Sequence, residues 1–347
     1  MAATPEDIAS QRRPAVLAAC TTAIGDTVLC TPALVALGQK YEVDVLVHQH
    51  RLPLLQGNPF LRQLLPYRNN PFQRSYLGAR MLARNYQLLL VLHANDDLVR
   101  LLPWLRYGQA VNIQGWNIAH RRMRELEVSN DLHVVDKRLI MARWAGVEPH
   151  PEYFWMKVFL AAGELDAADA WLSQRGLPRG RPRVGMVLGA SHVFKRWPAE
   201  RFGRVARALI DQGAEVILIG GKHELGLADR AGLAAGAVLH DGHGLGMRQL
   251  AAVLARLDVL VTNDTGPLHL AQAVNTPVLG LFGPTDHITI GPRGDMHRVV
   301  KVPVTCDPCL TKTCPHPECL LAMREDEVLA AVEEMLARPE HRLENRI

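Results

Sequence analysis

The chain has 347 residues, of which 48% are hydrophobic and 21% are charged, and this composition is typical of a globular protein with room for two domains. It excludes disordered and fibrous proteins, and no apolar run approaches the roughly 20 residues that a transmembrane helix needs. The formal net charge of +4 lies entirely within residues 1–165, because acidic and basic residues balance in the remainder. We therefore expect the first half of the chain to meet an anionic partner.

Short apolar runs alternate with helical patterns through the first half of the chain. The apolar runs predict strands at 15–19, 43–48 and 87–93, and apolar spacing on one helix face predicts a helix at 27–38. Strands that alternate with helices are typical of a parallel sheet covered by helices. The first half therefore predicts one α/β domain.

The second half repeats this alternation of short apolar runs and helical patterns. We expect strands at 184–188, 215–220, 259–262 and 278–282, and helices at 199–212, 223–235, 247–257 and 267–274. Two such halves predict an α/β protein with two Rossmann-like parallel-sheet domains.

The join between the domains is predicted at 176–183, a stretch of Gly, Pro and Arg that cannot form regular structure. It separates an N-terminal domain at 1–175 from a C-terminal domain at 183–324. The tail at 325–347 begins with helical apolar spacing, and we expect it to pack back on the domains.

The loop after the first predicted strand contains the first candidate residues, Thr22, Gly25 and Asp26. In a parallel sheet this loop lies at the carboxyl end of the strands, where ligands bind. Gly25 permits close backbone approach, and Asp26 either caps the first helix or acts on a ligand. The loop lacks the Gly-Lys-Ser/Thr ending of a Walker loop and is not a full dinucleotide fingerprint.

The densest basic run of the first half contains Arg121, Arg122 and Arg124. It is either a solvated basic face or a contact for a phosphorylated acceptor or an anionic membrane. The run is short and has few aromatic neighbours, so it does not predict a nucleic-acid partner.

The stretch at 259–286 is the most informative part of the second half. A buried strand ends at Asp264, Thr265 and Gly266, and Pro267 then opens a helix, so unpaired backbone N–H groups and a carboxylate point into one place. Such a helix start binds anions, and it predicts a seat for a nucleotide or sugar phosphate. His269 in the same helix is either a buried histidine or a ligand contact.

Two other loops of the second half follow predicted strands and carry charged residues. Lys195 and Arg196 would reach toward Asp264 and neutralise a departing phosphate, or they are two solvated cations. Glu224 would accept hydrogen bonds from a ribose beside Gly220, which leaves room for a base, or it is a first-turn residue favoured by the helix dipole.

Four cysteines, Cys306, Cys309, Cys314 and Cys319, form a compact cluster near the end of the chain. Their spacing is tighter than that of a zinc ribbon, in which two Cys-x-x-Cys pairs stand some 15–20 residues apart. Four thiolates could hold a structural zinc or iron ion tetrahedrally, or they are free or oxidised thiols. A catalytic metal is not expected.

Taken together, these motifs resemble the ADP-heptose:lipopolysaccharide heptosyltransferases, glycosyltransferase family 9. They cover nearly the whole chain in the order of that family, and each motif is weak alone while their joint order is specific. Besides the cysteine segment, the matching segments are Ala23-Ile24-Gly25-Asp26-Thr27, Thr31-Pro32-Ala33-Leu34, Lys195-Arg196-Trp197-Pro198, Asp264-Thr265-Gly266-Pro267-Leu268-His269, Thr276-Pro277-Val278 and Leu281-Phe282-Gly283-Pro284-Thr285-Asp286.

The resemblance implies a GT-B fold, in which two Rossmann-like domains face a central cleft with the acceptor on the N-terminal side and the nucleotide sugar on the C-terminal side. It implies an inverting transfer of heptose from ADP-heptose to a hydroxyl of the lipopolysaccharide inner core, with Asp26 as general base and no catalytic metal. Lys195 would meet the donor phosphate and Glu224 the ribose. Thr265 and Gly266 would seat the diphosphate, while Asp264 would hold sugar hydroxyls.

One departure from the family concerns the acceptor. Many relatives carry a basic residue ahead of the Gly-Asp pair, whereas Ala18-Ala19-Cys20 offers none. The contact to the acidic groups of the acceptor would then be either missing or supplied by Arg121, Arg122 or Arg124.

The N-terminus lacks the apolar stretch of a secretory signal, so we expect a cytoplasmic protein, at most peripheral at the inner membrane where the acceptor lies. Within the same class, a glycosyltransferase using another ADP- or UDP-sugar is the nearest alternative. A cysteine-cluster metal or redox protein is a second alternative. An NAD-type oxidoreductase is a third, although no Gly-x-Gly-x-x-Gly follows a strand.

Overall fold

The structure is a computed structural model. It describes residues 13–68, 75, 77–79, 84–94, 96–116, 123–177, 179–221, 224–233, 245–306, 309 and 314–338. The chain forms two compact units, Met1–Phe159 and Leu160–Ile347, and each is built around one parallel β-sheet. The prediction of an α/β protein with two parallel-sheet domains is confirmed.

The first unit contains a six-stranded sheet in the order β3-β2-β1-β4-β5-β6, with every neighbouring pair parallel. Its strands are β1 (Ala15–Cys20), β2 (Glu42–His48), β3 (Leu61–Tyr67), β4 (Asn85–His93), β5 (Arg106–Ile113) and β6 (Arg124–Leu126). The order reverses between β1 and β4, and ligands of open parallel sheets bind at such a reversal, outside the carboxyl ends of the strands. The loop after β1 lies at this point.

Three helices of at least six residues are described in the first unit: α1 (Ile24–Leu29), α2 (Thr31–Gly38) and α3 (Val134–Trp144). The expectation of one helix at 27–38 is wrong, because the segment forms two helices that meet at Cys30. Pro32 lies in the first turn of α2, where its missing N–H is tolerated, and it cannot continue a preceding helix. Short 3₁₀ segments are described in this unit at Leu52–Leu55, Asp96–Arg100, Leu102–Trp104 and Pro151–Tyr153, and residues 75 and 77–79 are also helical.

The second unit contains a five-stranded sheet in the order β11-β10-β9-β7-β8, again parallel throughout. Its strands are β7 (Arg183–Val187), β8 (Glu215–Leu218), β9 (Val259–Asn263), β10 (Val278–Phe282) and β11 (Arg298–Lys301). Here the order reverses between β7 and β9. The loops with Lys195 and Asp264 follow these two strands, so they flank the second reversal point.

The helices of the second unit cover its sheet and confirm the predicted alternation, with ends that shift by a few residues. They are α4 (Ala162–Ser173), α5 (Ala199–Asp211), α6 (Leu225–Arg230), α7 (Met247–Leu254), α8 (Gly266–Gln272), α9 (His287–Ile290), α10 (Glu318–Leu321) and α11 (Glu325–Ala337), with a 3₁₀ turn at Val193–Lys195. Helix α4 packs on α7 and α11 packs on α5. Helix α4 therefore lies in the second unit, whereas the sequence places it before the join at 176–183.

The hydrophobic core of the second unit extends up to the loop that carries Lys195. Trp197 is buried and packs edge-to-face on Phe202 of α5, with 4.9 Å between the ring centroids. Its indole N–H donates to the carbonyl of Met323 at 3.2 Å. Such a buried aromatic with a satisfied polar atom holds a loop firmly, and it fixes the backbone two residues after Lys195.

Candidate active site

Asp26 lies in the first turn of α1, directly beyond the carboxyl end of β1. The helix is capped at Ala23, so the interpretation of Asp26 as the N-cap is wrong. Its carboxylate instead accepts a hydrogen bond at Oδ2 from the Thr22 hydroxyl at 3.1 Å. The carboxylate is thus held by the loop before it, and its side chain keeps 25% exposure through which a ligand can approach.

His93 ends β4 and brings an imidazole beside Asp26, because β4 is the strand next to β1. The two strands are paired so that His93 lies opposite Cys20. His93 Nδ1 is 2.6 Å from the Thr22 hydroxyl oxygen, and His93 Nε2 is 3.7 Å from Asp26 Oδ1. His93 belongs to none of the sequence motifs, and its position at the end of a predicted strand was the available signal.

Arg138 of α3 brings a guanidinium to the same carboxylate, with Nη2 at 3.6 Å from Asp26 Oδ1. Its side chain is only 1% exposed, and Nε donates to the carbonyl of Leu92 at 3.2 Å. The guanidinium carbon lies 5.3 Å from the ring centroid of Trp116, within the range of a cation–π contact. A later helix therefore supplies a buried positive charge next to Asp26.

The surroundings of His93 favour its neutral form. Burial lowers the pKa of His93 below its ordinary value, the Asp26 carboxylate opposes that shift, and the positive charge of Arg138 adds to it. At neutral pH the site therefore combines a carboxylate, a neutral imidazole and a fixed guanidinium. This arrangement can accept a proton from a hydroxyl that reaches Asp26.

A second basic group occupies the ends of β2 and β3, next to β1 on its other side. Arg51 Nη1 lies 2.8 Å from His48 Nδ1, so the imidazole is neutral and accepts the hydrogen bond. Burial and then the charges of Arg51, His50 and Arg68 lower the pKa of His48. Such a concentration of positive charge at the carboxyl edge favours an anionic ligand.

The predicted acceptor residues differ in where they lie. Thr22 and Gly25 adjoin Asp26, and Gly25 is buried in α1. Arg121 and Arg122 lie outside the described residues. Arg124 is exposed at the start of β6, with β4 and β5 between its strand and β1.

In the second unit, Lys195 and Asp264 form a direct ion pair across the β7/β9 reversal. Lys195 Nζ donates to Asp264 Oδ2 at 2.7 Å, and the Thr285 hydroxyl donates to the same oxygen at 2.8 Å. Asp264 is 7% exposed and Lys195 20%. The predicted meeting of these two side chains is observed, and Thr285 is an addition from the loop after β10.

Asn263 holds the two loops of the ion pair together. Its side-chain amide donates to the carbonyls of Leu188 and Gly189 at 3.0 and 3.3 Å, and its amide oxygen accepts from the backbone N–H of Trp197 at 2.9 Å. All of these groups are buried or nearly so, so the bonds have little competition from water. Asn263 thus fixes the distance between the loop of Lys195 and the end of β9.

Helix α8 begins directly after Asp264. Thr265 is its N-cap residue, but the Thr265 side chain makes no capping hydrogen bond, and Pro267 lies in the first turn. The first backbone N–H groups of α8, beginning with Gly266, therefore remain available for an anion. His269 is buried within α8.

Glu224 lies at the start of α6 and points back over the ends of β7 and β8. Its Oε2 accepts from the backbone N–H of Gly221 at 2.7 Å. A Cβ atom at Gly189 would lie 1.3 Å from Glu224 Oε1, and one at Gly220 would lie 2.7 Å from Oε2. The two glycines leave the space that this carboxylate fills, at the edge where a ribose is expected.

Arg196 points differently from its neighbour Lys195. Its Nε and Nη2 both donate to the carbonyl of Ala190, at 3.0 and 2.7 Å, and this closes the loop on itself. The observed contact of Arg196 is therefore with the backbone of its own loop.

The four clustered cysteines are free thiols with graded exposure. Cys306 is exposed, Cys309 and Cys314 are intermediate, and Cys319 is buried in α10. Burial raises the pKa of Cys319, and the thiols of Cys306, Cys309 and Cys314 raise it further. However, among the described residues no three metal-ligating side chains converge closely enough to hold an ion. A metal at this cluster remains a prediction.

Comparisons with known proteins cover most of the chain. The family model described as glycosyltransferase family 9 (heptosyltransferase) matches residues 77–320. The lipopolysaccharide heptosyltransferase 3 of Escherichia coli is 27% identical over 294 residues, which are 76% of this chain and 82% of that protein. Within the described residues, no helix is both long enough and apolar enough to cross a membrane.

Solved structures with the same fold extend the likeness to both units. A glycosyl transferase family 9 protein from Veillonella parvula superposes with a TM-score of 0.81 at 19% identity. The superposition covers 94% of this chain and 99% of the Veillonella chain. The E. coli ADP-heptose lipopolysaccharide heptosyltransferase II superposes with a TM-score of 0.76 at 22% identity, over the same shares. These likenesses identify the two parallel-sheet units as a GT-B fold.

Proposed function

Because the chain belongs to glycosyltransferase family 9, the heptosyltransferases, we propose that it transfers a heptose from ADP-heptose to a hydroxyl of the lipopolysaccharide inner core. The observation that carries the proposal is the pair of charged sites at the two strand reversals. One reversal has a partly exposed carboxylate, and the other has a lysine–carboxylate pair beside a helix start. The first reversal suits an acceptor hydroxyl, and the second suits a nucleoside diphosphate sugar.

The donor half of the proposal rests on the second unit. The backbone N–H groups at Thr265 and Gly266 would bind the diphosphate together with Lys195, because both supply positive charge where ADP gains negative charge. Asp264 would then hold sugar hydroxyls through the oxygen that Lys195 and Thr285 leave open. The carboxylate of Glu224 would accept hydrogen bonds from the ribose.

The acceptor half rests on Asp26 as general base. The acceptor oxygen attacks the anomeric carbon while Asp26 takes its proton, and the bond from that carbon to the β-phosphate oxygen breaks with its electron pair leaving on ADP. Attack from the face opposite to ADP inverts the configuration of the anomeric carbon. Positioned general bases contribute roughly 10²- to 10⁴-fold to such steps.

The charges on the chain suffice for the departing ADP in this proposal, so no catalytic metal is required. Lys195 and the start of α8 would stabilise the diphosphate in the way a metal ion does elsewhere. The acidic groups of an inner-core acceptor at the membrane surface would meet Arg51 and Arg68 at the ends of β2 and β3.

The test is an assay of ADP release with ADP-heptose and a panel of truncated lipopolysaccharide cores. We expect release that depends on both substrates, and nuclear magnetic resonance of the product should show the inverted anomeric configuration. Other ADP-sugars and UDP-sugars serve as competing donors. If one of these competing donors gives acceptor-dependent release of its nucleotide and ADP-heptose gives none, that sugar replaces heptose in this proposal. Retention of the anomeric configuration would contradict the single-step mechanism.

A further inference from the structure

The hydroxyl of Thr22 links Asp26 to His93 and determines which nitrogen of the imidazole carries its proton. A threonine hydroxyl has one proton to donate, and here it donates to Asp26 Oδ2. The 2.6 Å contact between Thr22 Oγ1 and His93 Nδ1 must then have the imidazole as donor. Neutral His93 is therefore protonated on Nδ1, and its Nε2 has a free lone pair.

That lone pair faces the second oxygen of the same carboxylate. Because Thr22 occupies Oδ2, Oδ1 is the oxygen of Asp26 left to take a proton from a substrate. His93 Nε2 lies 3.7 Å from Oδ1, slightly longer than a hydrogen bond. Catalytic contacts are often long without ligand and shorten in the substrate complex, and a protonated Oδ1 would draw the two atoms together.

We propose that His93 is a relay residue, which receives at Nε2 the proton that Asp26 removes from the acceptor hydroxyl. The inference rests on the proposed role of Asp26 as base. The proton moves from the acceptor oxygen to Asp26 Oδ1 and then to His93 Nε2, so Asp26 returns to its ionised form and His93 becomes an imidazolium. The bonds of Thr22 to both residues are unchanged by this step.

Arg138 favours the return of Asp26 to its ionised form and the release of the proton from His93. Its fixed guanidinium, 3.6 Å from Oδ1, favours the carboxylate over the carboxylic acid. The same charge, together with burial, works against the imidazolium, so His93 passes the proton on to solvent through its 27% exposed side chain. The imidazolium form of His93 is thus a short-lived intermediate of the proton transfer.

Among the described residues, three charged or titratable groups lie beside His93. Asp26 faces it from α1, Arg138 from α3 and Cys20 from the paired strand β1. Burial raises the pKa of Cys20, so this thiol stays neutral. Within the described part of the chain, burial, Asp26 and Arg138 therefore govern the protonation of His93.

His93→Asn tests the relay, because the asparagine amide can still donate to Thr22 but offers no base at the position of Nε2. We expect kcat to fall about 10²-fold, at the lower end of general acid–base effects, with KM unchanged for both substrates. In the unaltered enzyme kcat should also fall in acid, with an inflection below the ordinary histidine pKa of about 6.5, because protonated His93 cannot accept. His93→Asn should lose that inflection.

Two further variants separate the relay from a structural role. In His93→Ala, added imidazole should restore part of the turnover, whereas a packing defect would not respond to it. His150→Asn removes an exposed histidine of the same unit and should leave kcat and its pH profile unchanged.

The relay is overturned if His93→Asn keeps the kcat of the unaltered enzyme. It is also overturned if kcat of His93→Asn falls but its acid inflection stays, and added imidazole has no effect on His93→Ala. These outcomes differ from failure of the proposed function. In that case the unaltered enzyme transfers no heptose, or Asp26→Asn retains its turnover.

Discussion

The two strand reversals each place an aspartate beyond the end of a strand, but the two carboxylates are held differently. Asp264 accepts two direct hydrogen bonds on one oxygen, from Lys195 at 2.7 Å and Thr285 at 2.8 Å. Asp26 accepts one at 3.1 Å from Thr22, while the Arg138 guanidinium and the neutral His93 imidazole stand at 3.6 and 3.7 Å. Asp264 is also the more buried of the two.

This difference assigns different work to the two carboxylates. A carboxylate bonded directly to an ammonium is a poor proton acceptor, because protonation breaks a charge-assisted hydrogen bond in a partly dry site. Asp26 can take a proton without losing such a bond. The contrast therefore favours Asp26 as base and Asp264 as a binding residue, and the following substitutions test it.

The largest effect is expected for Asp26→Asn. The amide keeps the shape of the side chain and can still accept from Thr22, but it cannot take a proton at neutral pH. We expect kcat to fall by roughly 10²- to 10⁴-fold, the range for a lost general base, while ADP-heptose binding stays unchanged. Steady-state transfer and calorimetric donor binding measure the two quantities.

Asp264→Asn is the matched control for that substitution. It removes the partner of Lys195, so donor binding should weaken, whereas the proton-accepting group at Asp26 remains. If Asp26→Asn and Asp264→Asn lost the same factor in kcat and both kept unaltered donor binding, the two carboxylates would not differ in function.

Lys195→Ala should have the next largest effect, on the donor side. Removing a charge that faces the departing diphosphate should lower kcat/KM for ADP-heptose by about 10²- to 10³-fold, which is typical of a lost electrostatic contact in the transition state. Donor saturation curves measured at fixed acceptor would show a raised KM together with a lowered kcat.

Arg196→Ala provides the neighbouring control for Lys195. Because the Arg196 guanidinium is bonded to the Ala190 carbonyl, we expect a small change in donor kinetics and a loss of thermal stability. A donor defect as large as that of Lys195→Ala would instead support the sequence prediction that Arg196 binds the donor.

The donor side of this contrast was largely predictable from sequence, and the acceptor side only in part. Each donor motif directly follows its own strand, so Lys195, Glu224 and Asp264 could be assigned to one sheet edge from chain order. Chain order placed His93 at the same sheet edge as Asp26 but did not make the two neighbours, and it gave no position for Arg138. Their proximity depends on β4 pairing with β1, and chain order does not reveal that pairing.

Several of the elements that went unpredicted have short or interrupted apolar patterns. Strand β3 is only partly buried along most of its length, β6 has three residues, and β11 is half-exposed throughout, so none shows a long apolar run. Helix α3 buries Lys137 and Arg138, and these charges interrupt its apolar face. Arg138, which lies beside Asp26, thus interrupts the apolar pattern of α3.

Arg51→Ala tests the acceptor side at a smaller scale. Loss of one charge-assisted contact of about 1.5–3 kcal/mol should raise the acceptor KM by roughly 10- to 100-fold, with donor KM unchanged. The measurement is transfer at saturating ADP-heptose over a range of truncated core concentrations.

Arg124→Ala distinguishes the two basic candidates on the acceptor side. Arg124 is exposed on β6, and two strands separate β6 from β1, so we expect a smaller rise in acceptor KM than for Arg51. The reverse order of effects would move the acceptor anion toward the basic run that the sequence analysis favoured.

The smallest effect on turnover is expected from removing metal. If Lys195 and the start of α8 carry the charge of the departing ADP, EDTA should leave the transfer rate unchanged even when metal analysis finds zinc or iron. Loss of transfer in EDTA, restored by Mg²⁺, would show that the donor half is incomplete without a cation.

A metal at the cysteines would affect the donor half only through packing. Cys319 Sγ lies so close to Gly283 that a Cβ there would be 3.1 Å away, and Gly283 is two residues before Thr285. Stripping an ion from this cluster should therefore lower the melting temperature, and Cys319→Ser should do the same. Cys306→Ser is the control, because Cys306 is exposed. If the cluster binds an ion, both variants should lose the metal and become less stable. If it binds none, only Cys319→Ser should be destabilised, because only this substitution places a hydroxyl in the core.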